Sequence, residues 1–448
     1  METELSADWP RRRLRKAGHR CCIFRIPQGS GDAWYQPSTV SIGPYHHGRE
    51  ELRMMEENKR RSLATLLERT KSMGLTLEDY FVKVKSLEEE ARDCYSETIL
   101  LQSHEFVAIL VVDGCFIVEL FRKAAGRIPF EEGDPIFSVD WTFWSLVKDL
   151  TCVENQIPFV VLRELFDLTE LPDDGNSMDR VSWSTLIYDF FEFFLPGPSF
   201  PFPSDRSESF RWRHLLDFLL WNFTRRLPVP GSPPRKSWSR VASRLRGGGT
   251  RPAFQVTRAR VIPCISKLRV AGIKLQRRDG ENNFLDVRFE GGAIKMPLIK
   301  LDGFMAAFLR NCVAYERCIG YERISGMTEY AIFLDRLIDT YKDVEVLCDH
   351  HVMENSLGTV GEVATFVNEL VKGVNIDKYY LVFGLSELFG QVNQYYNNSR
   401  DVYWATLKNR YFNSSWSIIS FFAAIVLLLL SVTQTIFTIL AYVKPLSH

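Results

Sequence analysis

The sequence predicts a mostly α protein: a large helical body carrying a small β-hairpin element, with one C-terminal transmembrane helix. Three observations carry this. Apolar residues recur at helical spacing through most of the chain, the period drops to two around Leu285 to Leu298, and Ile418 to Tyr442 runs for 25 residues without a charge. With 448 residues, 46% of them apolar, and 32 Phe, the chain has ample material for a substantial core.

Residues 1–20 form a basic tail that includes Arg11, Arg12, Arg13, Arg15, Lys16 and Arg20. No apolar stretch follows it, so it is not expected to act as a secretory signal, and its charge suits either solvation or anionic lipid. A helical N-terminal lobe is expected over 21–227. Glu50 to Arg69 and Leu77 to Tyr95 each space apolar residues as an amphipathic helix does. Phe106 to Phe121 is apolar nearly all round, which predicts a central buried helix, and Asp113 and Glu119 keep it out of a membrane. Helices are also expected at Trp141 to Leu150 and at Pro158 to Leu168, the latter with Pro in its first turn, where a missing N–H costs little.

Residues 228–252 are rich in Pro, Gly and Ser and carry six basic residues with no acid, which marks a linker or long loop. Ser237 and Ser243 follow basic residues, the pattern a basophilic kinase reads. A C-terminal lobe is expected over 253–415. There Leu285, Val287 and Phe289 alternate with charged residues, Gly291-Gly292 turns the chain, and Ile294, Met296 and Leu298 return it as a β-hairpin, with Pro297 arguing for an edge strand. Helical patterns resume at Phe304 to Tyr315, Tyr330 to Leu347 and Val360 to Val371.

The expected membrane helix covers 416–443. About 20 apolar residues suffice to cross roughly 30 Å of hydrocarbon, so the uncharged run from Ile418 to Tyr442 is long enough. Trp416 and Tyr442 bracket it as headgroup-level rings do. Arg400, Lys408 and Arg410 precede it and Lys444 alone follows, which predicts a cytosolic body on a tail anchor in the plasma membrane or endoplasmic reticulum. Ser420 and Ala424, Ser431 and Thr435, and the amide of Gln434 suit pairing with another span, including a second copy of this chain. Membrane lipid and a protein are thus the expected partners.

Lys plus Arg equals Asp plus Glu at 55 each, so nothing pulls the chain towards nucleic acid. The nine cysteines show no framework or metal-ligand spacing and are expected as reduced, mostly buried thiols. Cys348, Asp349, His350 and His351 are sequential on one helix, where neighbours point about 100° apart and do not converge on an ion. The chain has no P-loop, G-x-S-x-G, H-E-x-x-H or dinucleotide fingerprint, so neither an enzyme nor a cofactor or metal is expected.

Several blocks stand out in order: Gly43-Pro44-Tyr45-His46-His47 with the later Glu56 and Lys59; Asp113-Gly114-Cys115-Phe116 running to Leu120; Glu154-Asn155-Gln156 with Pro158; His214 to Asp217; Arg310-Asn311 running to Glu316; and the terminal Ser431 to Thr435. Together they resemble the signature blocks of the plant family called domain of unknown function 247, over roughly Ile23 to Thr435. The resemblance implies a plant protein with a mostly helical body and a C-terminal membrane helix, and no established activity; some grass members are implicated in pollen–stigma self-incompatibility. The adjacent His350 and His351 depart from the family pattern, which usually has a Gly nearby.

Read as residues, Gly43-Pro44 and Gly48 make a turn around His46 and His47. Asp113, Cys115 and Glu119 lie on different helix faces, with Arg122 and Lys123 one turn on as partners for Glu119. Glu154, Asn155 and Gln156 are placed to pin a helix start through backbone amides. The expected function is that of a membrane-anchored interaction or signalling component, with the Phe-rich stretch Tyr188 to Phe202 as a contact surface if exposed. Two alternatives are a cell-surface recognition determinant and an unrecognised hydrolase or transferase.

Overall fold

The structure is a computed structural model, and it describes residues 21–27, 34–129, 133–170, 182–192, 194, 212–224, 261–279, 283–320, 326–374, 385–397 and 415–443. The basic tail and the linker at 228–252 lie outside these residues.

The body is mostly helical. After a 3-10 turn at Glu50–Leu52 come α1 (Arg53–Thr70), α2 (Leu77–Lys85), α3 (Glu88–Asp93) and α4 (Ser103–Ala124), then α5 (Asp140–Asp149), α6 (Phe159–Leu168), α7 (Trp183–Glu192) and α8 (Leu215–Thr224). α4 is the expected central helix. It packs against α1, α2, α6 and α7, and it buries residues on every face from Phe106 to Lys123. Such all-round burial is why its sequence reads as continuously apolar.

The second half comprises α9 (Ile265–Val270), β1 (Lys274–Arg278), β2 (Arg288–Glu290), β3 (Ala293–Pro297), β4 (Ile299–Leu301), α10 (Gly303–Ile319), α11 (Gly326–Leu337), α12 (Tyr341–Asp349), β5 (Met353–Asn355), α13 (Val360–Leu370) and α14 (Leu385–Tyr396). α10 packs on α11 and α13 and also reaches α5, while α11 touches α8. The hydrophobic core therefore runs unbroken from Cys22 to Val392.

Three expectations need correction. The pattern from Leu77 to Tyr95 is two helices, because Ser86 Oγ donates to Lys83 O at 2.6 Å at the break and the acids Glu88 to Glu90 suit a fresh N-terminus. The pattern from Tyr330 to Leu347 is likewise two helices. Thr340 N donates to Asp343 Oδ2 at 2.9 Å, half of a capping box that starts α12. The hairpin is present, with β2 antiparallel to β3 across Gly291 (φ 59°) and Gly292 (φ 75°), but β3 is the central strand of the order β1-β3-β2. Pro297 is tolerated there as the last residue of its strand, opposite Arg278 at the end of parallel β1.

α15 (Ser415–Val443) contains Ile418, Gln434 and Tyr442. Its stretch Ile419–Leu440 spans 22 residues at mean hydropathy 2.3, none of it buried by the body. At 1.5 Å per residue that is about 33 Å, enough to cross a bilayer.

Candidate functional site: a polar clamp on an irregular strap

The described residues 22–27 and 34–48 have almost no regular secondary structure, so their backbone groups need partners from elsewhere. The family blocks supply them. Glu154 Oε1 accepts from Ile26 N at 2.7 Å, Asn155 Oδ1 from Ile42 N at 2.7 Å, and Asp113 Oδ2 from Gly43 N at 2.7 Å. Asn155 Nδ2 donates back to Val40 O at 3.0 Å, and Asn311 Nδ2 to Trp34 O at 2.8 Å. His214 Nε2 lies 3.1 Å from Cys22 O.

Beneath Gly43 sits an ion triad. Lys59, wholly buried, donates to Asp113 Oδ1 at 2.7 Å, to Glu56 Oε1 at 2.6 Å and to Ser41 O. Burial raises the Asp113 carboxyl above its ordinary value, and the Lys59 ammonium pulls against that rise. Gly43 sits at φ 77° with its α-carbon against Gln156 O, where a Cβ would lie 2.6 Å away. Only glycine meets both conditions. Gly114 is constrained differently, with no positive φ: an added Cβ would collide with the side-chain Cδ1 of Leu165.

Asp149 is the strongest clamp, and the family blocks do not include it. Its carboxylate accepts from Ser38 N, Thr39 N and Val40 N at 2.6 to 3.0 Å. Burial raises its carboxyl, and those three amides oppose the rise. A carboxylate in the last turn of a helix opposes the dipole, which is the one sequence signal that could have singled it out.

The other candidate residues knit the body. Gln156 Nε2 donates to Leu150 O and Cys152 O at 2.8 and 2.9 Å, and its Oε1 accepts from Leu216 N at the start of α8. Pro158 is the N-cap of α6. Asn311 Oδ1 accepts from Val153 N at 2.9 Å, tying α10 to the α5–α6 loop. The Arg310 guanidinium lies over Trp34 and Phe366 and pairs with Glu369 at 3.4 Å. Glu316 accepts from Met327 N, Thr328 N and Thr328 Oγ1 and so caps α11. Tyr315 donates to Asp217 at 2.7 Å. Tyr45 and Pro44 continue the turn, Tyr45 edge-on to Tyr95. Buried His46 places Nε2 3.2 Å from Glu154 Oε2 without hydrogen-bond alignment, whereas His47 is exposed.

Asp113, Cys115 and Glu119 do not converge. Asp113 belongs to the Lys59 triad, Glu119 to a second one with Arg69 at 2.7 Å and Arg122 at 3.4 Å, and burial pushes the Cys115 thiol well up. Lys123 pairs not with Glu119 but with Asp134, at 2.7 Å. That pair lines a small polar surface notch with Asn58, Arg61 and Ser62, and Arg61 is engaged by Glu57 at 3.7 Å. Phe116 is core. His350 ends α12 with Nδ1 2.9 Å from Val346 O. Among the described residues no group of three or more His, Cys, Asp and Glu is arranged to hold a metal.

The profile of a family described as plant protein of unknown function, DUF247, matches residues 23–430. The chain belongs to the DUF247 family. The match covers the clamp and the first 16 of the 29 residues of α15, and stops short of the Ser431 to Thr435 block. Among similar proteins, UPF0481 protein At3g47200 of Arabidopsis thaliana is 32% identical over 442 residues, covering 96% of this chain and 89% of that protein. A second Arabidopsis thaliana protein, UPF0481 protein At3g02645, is 26% identical over 502 residues, covering 91% and 88%. No solved structure matches the chain.

Proposed function

We propose that this DUF247 protein is a single-pass membrane protein whose folded body faces the cytosol and acts by binding another protein. The observation that carries the reading is the uncharged stretch Ile419–Leu440 of α15, none of it buried against the described residues of the body. Such a helix is stable in lipid and costly in water. The basic residues Arg400, Lys408 and Arg410 on the body side favour a cytosolic orientation, at the plasma membrane or endoplasmic reticulum.

No reaction is assigned to the chain, because most polar residues of its blocks hold its own backbone or pair with one another. Its working part is then its surface. The Phe-rich stretch is a poor contact candidate where it is described, since Phe190 and Phe191 are buried. Trp141 on α5 is a better one, 72% exposed, with Trp144 and Val139 also exposed nearby. Large exposed aromatics of this kind are favoured at protein contacts.

Topology in native membranes tests the proposal, by protease digestion of a chain tagged at both ends with glycosidase treatment alongside. Asn222 and Asn397 both begin glycosylation sequons, but Asn222 lies in α8 with Nδ2 donating to Phe218 O at 3.0 Å and Thr224 buried beside it. Of these two, Asn397, which is exposed, reports on the folded body. A digestible body without glycan is expected; a protected, glycosylated body would transfer the protein to the cell surface and to extracellular recognition.

A further inference from the structure

Cys22 and Cys94 lie side by side where the strap begins. A parallel bridge pairs Ile23 with Tyr95, and both Cys22 N and Ile23 N donate to Cys94 O at 2.8 Å. Residues 22 and 94 are therefore the next pair in register. Neighbouring strands run about 4.8 Å apart, inside the Cα separation of about 4.4–6.8 Å that a disulfide spans. The Cys22 thiol is hydrogen-bonded to the Cys94 side chain, whose own Sγ donates to Glu90 O at 3.4 Å. Cys21 is exposed while Cys22 is buried, as alternation along an extended segment requires, so Cys21 points away from this contact.

We propose that Cys22 and Cys94 form a reversible disulfide that rivets the strap to the end of α3, with a small-molecule disulfide such as oxidised glutathione as the oxidant. Cys94 is the partly exposed member and Cys22 the fully buried one, which sets the order of events. The Cys94 thiolate attacks one glutathione sulfur, breaking the glutathione S–S bond and releasing one glutathione thiol. Cys22 then loses its proton and displaces the second glutathione from Cys94. Two protein S–H bonds give way to one protein S–S bond, and the two electrons and two protons end on the two glutathione thiols.

The bridge would close the loop from residue 22 to residue 94, which contains the segment that Asp149, Asn155 and Asp113 hold. Oxidation thus reinforces the polar clamp with a covalent one. The hydrogen bond to Cys94, and then burial, hold the Cys22 thiol in its protonated form well above the ordinary range, so the second displacement is slow at neutral pH and accelerates as pH rises.

The test uses the full wild-type chain in its native membrane, equilibrated across glutathione buffers from reducing to oxidising, acid-quenched, alkylated after unfolding and digested for mass spectrometry. A Cys22–Cys94 linked peptide is expected in oxidising buffer, cleared by dithiothreitol and retained in Cys21→Ser. Its formation is expected to be at least several-fold faster at pH 9 than at pH 7. Alkylation of both Cys22 and Cys94 in the most oxidising buffer overturns the proposal, as does a link to Cys94 that persists in Cys22→Ser and disappears in Cys21→Ser. The readout does not depend on which way the body faces, so it stands or falls apart from the topology experiment.

Discussion

Lys59 Nζ lies 2.7 Å from Asp113 Oδ1, and neither side chain reaches solvent. The pair joins α1 to α4 and, through the second Asp113 oxygen, fixes Gly43 of the strap. Removing one member of such a pair strands the other charge in the interior, which typically costs about 3–5 kcal/mol out of a total stability of about 5–15 kcal/mol. Lys59→Met is expected to lower the denaturation midpoint more than Asp113→Asn, because the Asn keeps the shape and leaves Lys59 with Glu56. The double variant should recover part of the Lys59→Met loss. Chemical denaturation of all three decides it, and strict additivity would refute the coupling.

The contact between Gly114 and Leu165 predicts a rescue. Gly114→Ala would place a methyl 2.4 Å from Leu165 Cδ1, an overpacking expected to cost about 1–3 kcal/mol. Leu165→Ala in the same chain vacates that space, so the double variant should be more stable than the sum of the two singles. Gly43→Ala should admit no side-chain rescue, since its obstacle is the Gln156 backbone oxygen at φ 77°. Thermal unfolding of the set tests both statements.

What the sequence made legible was local. The buried run of α4, the period-two stretch around Gly291-Gly292 and the uncharged run of α15 each advertise themselves within a few turns. The clamp is not local: Lys59 and Asp113 are 54 positions apart, and Val153 and Asn311 are 158 apart. Spacing along a helix or strand carries no information about such meetings, so the blocks could be seen without their purpose. β1 escaped for a different reason. Its residues KLQRR show one buried position among exposed ones, and pairing with β3 rather than its own pattern makes it a strand. Asp149 showed itself only as an acid at an unfavourable helix end.

Gln434 predicts self-association of the span. The hydroxyls of Thr433, Thr435 and Thr438 each donate to the carbonyl four residues back, at 2.7 to 2.8 Å, and so are satisfied within α15. The Gln434 amide, both donor and acceptor, meets an identical amide at equal depth when two copies lie parallel. A polar contact of this kind is worth about 1 kcal/mol in a bilayer, about fivefold in association. Gln434→Leu should weaken pairing by about that factor in a donor–acceptor fluorescence assay of labelled chains in vesicles; unchanged pairing would assign the contact elsewhere.

Glu316 and His214 set opposing pH dependences. Burial raises the Glu316 carboxyl to about 7, against its ordinary 4.5, even though three donors from α11 oppose the rise. The folded state therefore keeps a proton that the unfolded state gives up. This stabilisation is full below pH 4.5 and is lost as pH climbs to about 7, a span worth about 3 kcal/mol. His214 works the other way. Burial lowers its pKa to about 3 from 6.5, so its contribution is full above pH 6.5 and is lost as pH falls towards 3. Between pH 4.5 and 6.5 the two trends offset each other in the wild type. Glu316→Gln removes one of them, and the variant should lose stability on acidification by about 1 kcal/mol per pH unit relative to wild type over that window. The raised carboxyls of Asp113, Asp149 and Asp217 are common to both proteins and cancel in the difference. Denaturation midpoints from pH 4.5 to 7.5 in detergent provide the comparison, and parallel profiles for the two proteins would show that Glu316 titrates at its ordinary value.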